Sequence, residues 1–327
     1  MKRYSPTSQT GSARKAVRKT AEAQKAYEYA ARADAPNTER AYLSDWKQFL
    51  AWCKKNDYCP LPVEPEVLAT YLRACAEDQN LKMTTIRRRV VSISEAHNRN
   101  GFQTPTQQWI VKNTMKRLWR EHGSPARGKD PILVEDIKNI VGHCDVDTLS
   151  GIRDKAILLL GFASSLRRSD IVNINIEDTS RAKEGLVIQV RKGKTDQMRK
   201  GRKIGIPYGK YEETCPVAAV YEWLLASGLS EGPLFRSMTK NGKPRSTRMS
   251  AQVVALIVKK YCELIGKKTS KFAAHSLRSG FVTSAAIAGV TERNIQNQSG
   301  HLSSTMLRRY IREAKVFREN AFKSLDL

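Results

Sequence analysis

Apolar residues recur at helical spacing in four consecutive stretches between residues 38 and 119, and this periodicity limits the first part of the chain to helices. In the first stretch they fall at Tyr42, Trp46, Phe49 and Cys53, on one face of an amphipathic helix. The other stretches cover residues 64–76, 84–98 and 106–119. Because the connections between them are short, we predict a small all-α bundle over residues 36–121.

The segment HGSPARGKD interrupts this pattern, since it has two glycines, one proline and no periodic apolar residue. We predict a linker over residues 122–131 and a larger second domain over residues 132–327. Helices are expected there at 133–141, 149–163, 215–226, 250–265, 275–288, 291–299 and 303–311. Apolar alternation predicts strands at 186–190 and 202–206, with a third near 172–176. The predicted fold class is mainly α with a small antiparallel β-sheet.

The balance of charge indicates which partner the chain binds. Its 327 residues include 57 Lys and Arg against 32 Asp and Glu, a net charge of +25. Such an excess is costly in self-repulsion, and a polyanion neutralises it. Nucleic acid is therefore the expected partner. The first 35 residues hold eight basic side chains against three acidic ones, so we expect residues 1–35 to form a flexible basic arm.

Composition also excludes two classes of protein. The longest apolar run, from Ala156 to Ala163, is far shorter than the ~20 residues of a membrane span, and the N-terminus has no signal-type apolar segment. We therefore expect neither a membrane protein nor a secreted one. The six cysteines are scattered without a Cys-x-x-Cys pair, which argues against a zinc site and for reduced thiols in a cytoplasm.

The residues with catalytic potential form an ordered series in the second domain. The series consists of Ser165-Leu166-Arg167-Arg168-Ser169-Asp170, Lys194 on the loop between two predicted strands, His275-Ser276-Leu277-Arg278, Gly300-His301, and Tyr310 nine positions after His301. With this ordered set the chain resembles the tyrosine recombinase (phage integrase) family. The resemblance covers about residues 36–325, and the layout of the helical domain is most similar to the Cre-like branch.

The chemistry of DNA strand cleavage requires these residue types. Breaking a phosphodiester without metal or water needs an oxygen nucleophile that can later be displaced, cations around the non-bridging oxygens, and an acid for the leaving 5′-oxygen. The resemblance implies that Tyr310 is the nucleophile, that Arg167 and Arg278 clamp the phosphate, and that Lys194 is the general acid. It implies no metal and no other cofactor.

Three further residues complete the implied site. His275 assists proton transfer, His301 hydrogen-bonds the phosphate, and Asp170 supports the site three positions after Arg167. Structural alternatives exist for several of these roles. Arg168 competes with Arg167, either histidine could serve only structure, and a lone tyrosine is most often a core residue. Other lysines crowd the loop that holds the implied acid, namely Lys192, Lys200 and Lys203.

Candidates for DNA contact lie outside the site, at the starts of helices where an N-terminus and a basic side chain suit phosphates and base edges. They are Thr38, Arg40, Arg87 and Arg88 in the helical domain, and Arg245, Arg248 and Gln252 in the second domain. A solvated basic face is the alternative. In the C-terminal tail, Ala314, Phe317, Ala321 and Phe322 have helical spacing. The resemblance implies that the tail docks into a neighbouring subunit, and packing on its own domain is the alternative.

The resemblance implies a site-specific recombinase that acts on double-stranded DNA. Two subunits would bind an inverted-repeat site, and two such sites would pair in a homo-tetramer. Strands would exchange through a 3′-phosphotyrosyl link and a Holliday junction, as in integration, excision or resolution of a mobile element or plasmid. Two alternatives stay open: a type IB topoisomerase-like nicking-closing enzyme, and a DNA-binding protein without catalysis.

Overall fold

The structure is a computed structural model, and it describes residues 35–124, 128–191, 201–301, 307, 308 and 310. Backbone contacts divide the chain into two compact units, Met1–Ala126 and Arg127–Leu327. Several sequence-predicted features lie outside the described residues, namely nearly all of the basic arm, Lys194, most of the helix at 303–311, Phe317 and Phe322. Both units are mainly helical, and antiparallel strands lie in the second, so the predicted fold class is confirmed.

The first unit is built from helices α1 (Pro36–Lys55), α2 (Pro65–Glu77), α3 (Met83–Arg99) and α4 (Trp109–His122). Prolines begin α1 and α2, where the missing N–H would have no partner within the helix. The apolar faces predicted from sequence meet in a core that includes Phe49, Tyr71 and Ile86. Helix α4 begins later than predicted because Pro105–Gln107 form a separate 3-10 turn.

The buried side chain of His97 connects two segments of this unit. His97 Nε2 accepts a hydrogen bond from the backbone N–H of Val63 at 3.0 Å, and His97 Nδ1 lies 2.8 Å from the carbonyl oxygen of Ile93. A ring that accepts at Nε2 has its proton on Nδ1, so the neutral imidazole satisfies both contacts. His97 therefore links the segment before α2 to α3, which is a structural role.

The second unit alternates helices with two small sheets. Its helices are α5 (Val134–Gly142), α6 (Leu149–Ser164), α7 (Arg168–Asn173), α8 (Pro216–Ser227), α9 (Ala251–Leu264), α10 (His275–Ile287) and α11 (Glu292–Ser299), and its strands are β1 (Thr179–Ala182), β2 (Gly185–Val190), β3 (Arg202–Pro207), β4 (Arg236–Met238) and β5 (Pro244–Arg248). Helix α6 is buried on most sides, as its apolar run predicts, and α8 and α10 pack against it. None of the helices in the described ranges combines the length and apolar character of a membrane span.

Strands β1, β2 and β3 form an antiparallel sheet in that order. Ile188 of β2 lies opposite Ile204 of β3, and alternate residues of both strands are buried, which confirms the two strands predicted from alternation. The third strand predicted near 172–176 is wrong. Val172 belongs to α7, and Ile174 follows it in the main core, so their apolar character reflects burial there. The third strand is β1, at the edge of the sheet.

A second antiparallel hairpin, β4–β5, lies outside every sequence prediction. Its residues include Arg236, Arg245 and Arg248, and they lack the apolar alternation that indicates a half-buried strand. Residues outside the hairpin hold it, since Arg248 of β5 donates to the carbonyl oxygens of Val172 and Ile174 and to Asn175 Oδ1. Tertiary contacts therefore determine this element.

Candidate active site

A left-handed turn after α6 positions Arg167. Ser165 has a φ of 52°, a conformation that costs a non-glycine residue about 1–2 kcal/mol, and its carbonyl oxygen accepts a hydrogen bond from Arg278 Nη1. The turn places Arg167 at the start of α7, where its Nη1 lies 3.8 Å from the buried Asp170 Oδ2. Arg168 is exposed and donates to Gln252 Oε1 at 3.4 Å. The geometry therefore favours Arg167 over Arg168 as the arginine of the site.

Arg278 lies at the centre of the site. It is buried on the first half of α10, and its Nη1 donates to the carbonyl oxygens of Ser165 at 2.5 Å and Ser299 at 2.6 Å. Its Nη2 is buried and has no hydrogen-bond partner among the described residues. Burial, followed by the charges of Arg167 and Arg202, lowers the pKa of Arg278 to about 10. The side chain is therefore still a cation at neutral pH, with a donor left for an anion.

The end of α11 holds His301. Gly300 adopts a left-handed conformation with φ 65°, and Gln296 Nε2 donates to the carbonyl oxygen of His301 at 2.8 Å. His301 Nδ1 lies 2.7 Å from Ser299 Oγ. Burial, followed by the charges of Arg278 and Arg167, lowers the pKa of His301 to about 4. The imidazole is therefore neutral at physiological pH.

His275 and Tyr310 form a hydrogen-bonded pair. His275 begins α10, and its Nε2 lies 3.0 Å from the hydroxyl oxygen of Tyr310. Part of His275 faces solvent, yet the surrounding protein removes enough water to lower its pKa, and the charges of Arg278 and Arg167 lower it further. A neutral ring with its proton on Nδ1 accepts the hydroxyl hydrogen of Tyr310.

Tyr310 is fixed by its own segment. Leu307 is completely buried in a small cluster with Val282, Ala286 and Ile295, and Tyr310 packs against that cluster. Arg308 Nε lies 3.3 Å from Glu292 Oε1 on α11. These contacts attach the tyrosine to α10 and α11, the two helices that also position His275 and His301.

Arg202 lies in the same group of charges, although no sequence pattern predicts a role for it. It begins β3, and its guanidinium donates to backbone carbonyl oxygens at the end of α11. Burial lowers the pKa of Arg202, Asp170 raises it, and Arg167 lowers it. The sequence gives one signal, a basic residue that directly follows the loop expected to hold the acid. Nothing in the spacing shows that its partner is a helix end about ninety-five residues further along the chain.

The structure therefore brings together five of the six predicted catalytic residues, and Lys194 lies outside the described residues. Arg278 binds the turns next to Arg167 and His301, and His275 binds Tyr310. Their catalytic roles stay predictions at this point. In the described part of the chain, no group of three or more His, Cys, Asp or Glu side chains is arranged to hold a metal ion.

The DNA-contact candidates of the first unit differ in what already binds them. Arg87 is exposed, and Arg40 is exposed with its Nη1 3.1 Å from Asn37 Oδ1. Arg88 makes two hydrogen bonds to the buried Asp45, at 2.7 and 2.9 Å. Thr38 is half-buried in the first turn of α1. Contacts of these four residues with DNA stay predictions, and Arg88 also has a structural role.

The DNA-contact candidates of the second unit also differ in the hydrogen bonds that they already make within the protein. Arg245 is exposed on β5, and Gln252 lies in the first turn of α9. Arg248 donates to the carbonyl oxygens of Val172 and Ile174 and to Asn175 Oδ1. Its guanidinium joins β5 to the end of α7, so much of its hydrogen-bonding capacity is used inside the unit. Contacts of these residues with DNA also stay predictions.

A mainly helical second unit that groups two arginines, two histidines and a tyrosine in this way defines an enzyme class, the tyrosine recombinases. The chain belongs to the phage integrase family, whose family model matches residues 132–316. The predicted family and enzyme class are confirmed, and the protein is a site-specific DNA recombinase.

Known relatives agree with this assignment. The chain is 40% identical over 294 residues to the integrase/recombinase xerD homolog of Selenomonas ruminantium, with 89% of this chain and 86% of the relative covered. It is 26% identical to the recombinase cre of Escherichia phage P1, with 84% of each chain covered. Its fold is similar to the Tn1549 transposon integrase solved with transposon right end DNA, at a TM-score of 0.60 and 17% identity. That match covers 92% of this chain and 95% of the transposon integrase.

Proposed function

We propose that this recombinase exchanges DNA strands at a specific site through a covalent phosphotyrosyl intermediate formed on Tyr310. The observation that supports this proposal is the 3.0 Å contact between the Tyr310 hydroxyl and His275 Nε2. The charges of Arg167 and Arg278 lie close enough to both histidines to lower their pKa values. A nucleophile, a neutral base and cations for a phosphate are thus grouped in one place.

In the first step, neutral His275 takes the proton of the Tyr310 hydroxyl as the phenolate oxygen attacks the scissile phosphorus. The bond between phosphorus and the 5′-oxygen breaks, and Tyr310 becomes linked to the 3′ DNA end. The lowered pKa of His275 favours the unprotonated ring that this step requires. A charged His275 would have no lone pair to accept the proton.

The non-bridging oxygens of the phosphate are bound by side chains that stay in place during the reaction. Arg278 Nη2 offers a buried donor, and Arg167 supplies a second guanidinium. In this proposal Ser299 Oγ, which lies 2.7 Å from His301 Nδ1 and 3.4 Å from the carbonyl oxygen of Gln296, donates its hydrogen to the ring. The ring proton of neutral His301 is then on Nε2, where it donates to a phosphate oxygen.

Lys194 protonates the leaving 5′-oxygen in this proposal. The residue belongs to the segment between β2 and β3, whose flanking residues Val190 and Arg202 are paired in the sheet. In the second step the free 5′-hydroxyl of a partner strand attacks the phosphotyrosyl link, and the phenolate of Tyr310 leaves. Each step exchanges one phosphoester for another, so neither step consumes ATP.

DNA binding follows from the net charge of +25 and from the exposed arginines of both units, Arg40, Arg87 and Arg245 among them. Counterion release from neutralised phosphates supplies affinity, while base edges supply specificity. We place the enzyme in the cytoplasm, acting on double-stranded DNA in integration, excision or resolution of a mobile element or plasmid.

Assembly on the DNA is proposed as two subunits on an inverted-repeat site and a homo-tetramer on two paired sites, with exchange through a Holliday junction. The second unit has an apolar groove of about 510 Å³, lined by Leu159, Phe162, Phe281 and Val290 among others. We assign to this groove the C-terminal tail of a neighbouring subunit, anchored by Phe317 and Phe322. Aromatic anchors in an apolar groove are a common source of binding energy between subunits.

A nicked suicide substrate tests the central step, because its cleaved fragment diffuses away and blocks religation. The wild-type protein should become attached to a 3′ DNA end, whereas Tyr310→Phe should bind the same DNA without forming an adduct. Tyr211→Phe, which alters an exposed tyrosine of the same unit, is the matched control and should form the adduct. An adduct on Tyr310→Phe would identify a different nucleophile and overturn the proposal.

Two further measurements separate the alternatives. Lys194→Ala should cleave slowly and recover when the 5′-bridging oxygen is replaced by sulfur, because a thiolate leaves without protonation. Recovery of Arg167→Ala instead would show that Lys194 is not the acid.

Relaxation of a supercoiled plasmid that lacks any target site would favour a topoisomerase-like enzyme. Binding without adduct formation by the wild type would indicate a non-catalytic DNA-binding protein.

A further inference from the structure

Arg202 connects the three-stranded sheet to the end of α11. Its Nη1 donates to the carbonyl oxygens of Asn297 at 3.0 Å and Gln298 at 3.1 Å, and its Nη2 donates to that of Ser299 at 3.4 Å. The last carbonyl oxygens of a helix have no partners within the helix and hold a partial negative charge. One guanidinium thus satisfies three consecutive carbonyls at the residues that lead into Gly300 and His301.

Gly300 lies directly against this guanidinium. A Cβ atom added to Gly300 would come within 2.6 Å of Arg202 Cζ and 2.8 Å of its terminal nitrogens. Separations below about 3 Å essentially never occur for a real Cβ atom. A side chain at Gly300 is therefore disfavoured by its left-handed φ of 65°, and it would also displace the Arg202 guanidinium from the helix end.

Two other side chains also make hydrogen bonds at the end of α11. Gln298 Nε2 donates to the carbonyl oxygen of Ala163 at 3.0 Å, and Arg278 Nη1 donates to that of Ser299 at 2.6 Å. The carbonyl oxygen of Ser299 therefore accepts from two arginines. Arg278 also donates to Ser165 and faces the proposed phosphate site. The described hydrogen bonds of Arg202, in contrast, all go to the end of α11.

We infer that Arg202 is a positioning residue for DNA cleavage, which fixes the end of α11 so that Gly300 can turn and His301 can face the scissile phosphate. This inference rests on the proposed function, because it assigns to Arg202 the placement of a group that acts in that reaction. Three N–H groups of the Arg202 guanidinium donate to the carbonyl oxygens that precede Gly300, so its described contacts act on the position of His301.

The first test compares single variants on the nicked suicide substrate. Arg202→Ala should cleave roughly 10- to 100-fold more slowly than the wild type, since small displacements of a catalytic group cost about this much. Half-site affinity should be unchanged. Arg181→Ala is the matched control, because it removes an exposed arginine from β1 of the same sheet, and it should cleave like the wild type. Arg202→Ala cleavage equal to that of Arg181→Ala would overturn the inference.

Epistasis identifies the group through which Arg202 acts. If its effect passes through His301, the Arg202→Ala/His301→Ala double variant should cleave no more slowly than His301→Ala alone. If the rate defects of the two single variants multiply in the double variant, Arg202 contributes independently of His301 and the inference is overturned. Sulfur at the 5′-bridging position should not restore Arg202→Ala, and recovery there would show instead that Arg202 positions the loop of the acid.

A second pair of variants tests the packing of Arg202 on Gly300. Gly300→Ala should impair cleavage strongly alone, and part of that loss should be recovered in Arg202→Ala/Gly300→Ala, because the guanidinium no longer occupies the space of the new methyl group. Independent, additive effects would contradict the geometry. If Arg202→Ala fails to fold, Arg202→Lys replaces it, since it keeps the charge but loses the planar fork that reaches three carbonyls.

The wild-type reaction in the same assay separates the two proposals. If the wild type forms no covalent adduct, the proposed function itself fails. If the wild type forms the adduct and Arg202→Ala forms it at the same rate, only the positioning role of Arg202 fails.

Discussion

Replacing Arg278 with lysine keeps a positive charge in the site and removes the planar fork. In the native protein Arg278 Nη1 binds the carbonyl oxygens of Ser165 and Ser299, while its Nη2 has no partner in the described part of the chain. A lysine presents one ammonium group on a flexible stem. It cannot bind both carbonyl oxygens and also reach the phosphate position that we assign to Nη2.

The size of the effect follows from this inventory of hydrogen bonds. Losing one hydrogen bond between the buried guanidinium and a carbonyl oxygen should lower the free energy of unfolding by about 1.5–3 kcal/mol. Losing one fixed donor to the transition state should slow cleavage by about 10²–10³-fold. The loss of rate should therefore exceed any loss of DNA affinity, because the exposed arginines that we assign to DNA binding are unchanged.

Single-turnover cleavage of the suicide substrate, measured well below the melting temperature, gives the rate, and urea denaturation gives the stability. Arg153→Lys is the matched control. Arg153 is also buried in the second unit, where it binds Asp154 Oδ1 and the carbonyl oxygen of Arg236. This control should lose stability while it cleaves at the wild-type rate.

Two results would refute this reasoning. If Arg278→Lys loses stability but cleaves as fast as Arg153→Lys, the guanidinium has only a structural role and Nη2 does not face the phosphate. If Arg278→Lys weakens DNA affinity but leaves the single-turnover rate on saturated DNA unchanged, Arg278 binds the ground state and the transition state alike.

Three other predictions follow from the charges and from the tail. Because burial and the charges of Arg278 and Arg167 lower the pKa of His275, the single-turnover rate should fall only as the pH drops below the ordinary histidine value of about 6.5, and His275→Gln should abolish this dependence; a midpoint above that value would contradict the assignment. DNA affinity should weaken steeply with salt, by about −0.9 in log K against log salt for each neutralised phosphate, and a slope near zero would remove the electrostatic explanation. Deleting residues 313–327 should preserve half-site binding but abolish cooperative assembly and recombination in gel-shift and recombination assays, whereas an unfolded monomer would show that the tail packs on its own subunit.

The resemblance to the family pattern predicted which residues form the candidate site, and local signals predicted the elements on which those residues lie. Arg167 follows an apolar helix, and His275 and Arg278 share the first turn of another. His301 follows a glycine that ends a helix. The order of these signals along the chain is informative, because each local pattern fixes the element on which a residue lies.

The role of Arg202 could not be predicted in this way. Its partners are backbone carbonyls of Asn297, Gln298 and Ser299, and every residue type has a carbonyl. No residue pattern therefore reports the contact. The only related signal in the sequence is Gly300. Its left-handed conformation is enough to explain a glycine at the end of a helix, so the glycine does not reveal that a side chain lies against it. Only the folded backbone shows that a guanidinium lies against it.

The basic run in α3 shows a second limit of sequence patterns. Three consecutive arginines lie in one helix turn, and composition treats them alike. Arg87 is exposed, Arg88 pairs with the buried Asp45, and Arg89 is buried with its Nη1 2.8 Å from the hydroxyl of Tyr71. Consecutive charged side chains in a helix therefore project in different directions, and the packing of the helix determines which of them face solvent.

The segment of Tyr310 rests on a cluster separate from the main core of the unit. Among the described residues, its contacts include the buried Leu307, the hydrogen bond between Tyr310 and His275, and the exposed ion pair between Arg308 and Glu292. Burying a leucine contributes about 1.5–3 kcal/mol, and an exposed ion pair typically contributes about 0.2–1 kcal/mol. Each of these contacts is weak compared with the ~5–15 kcal/mol that stabilise a folded domain. In the assembly that we propose, a contact between subunits at this segment would determine which copies can cleave DNA.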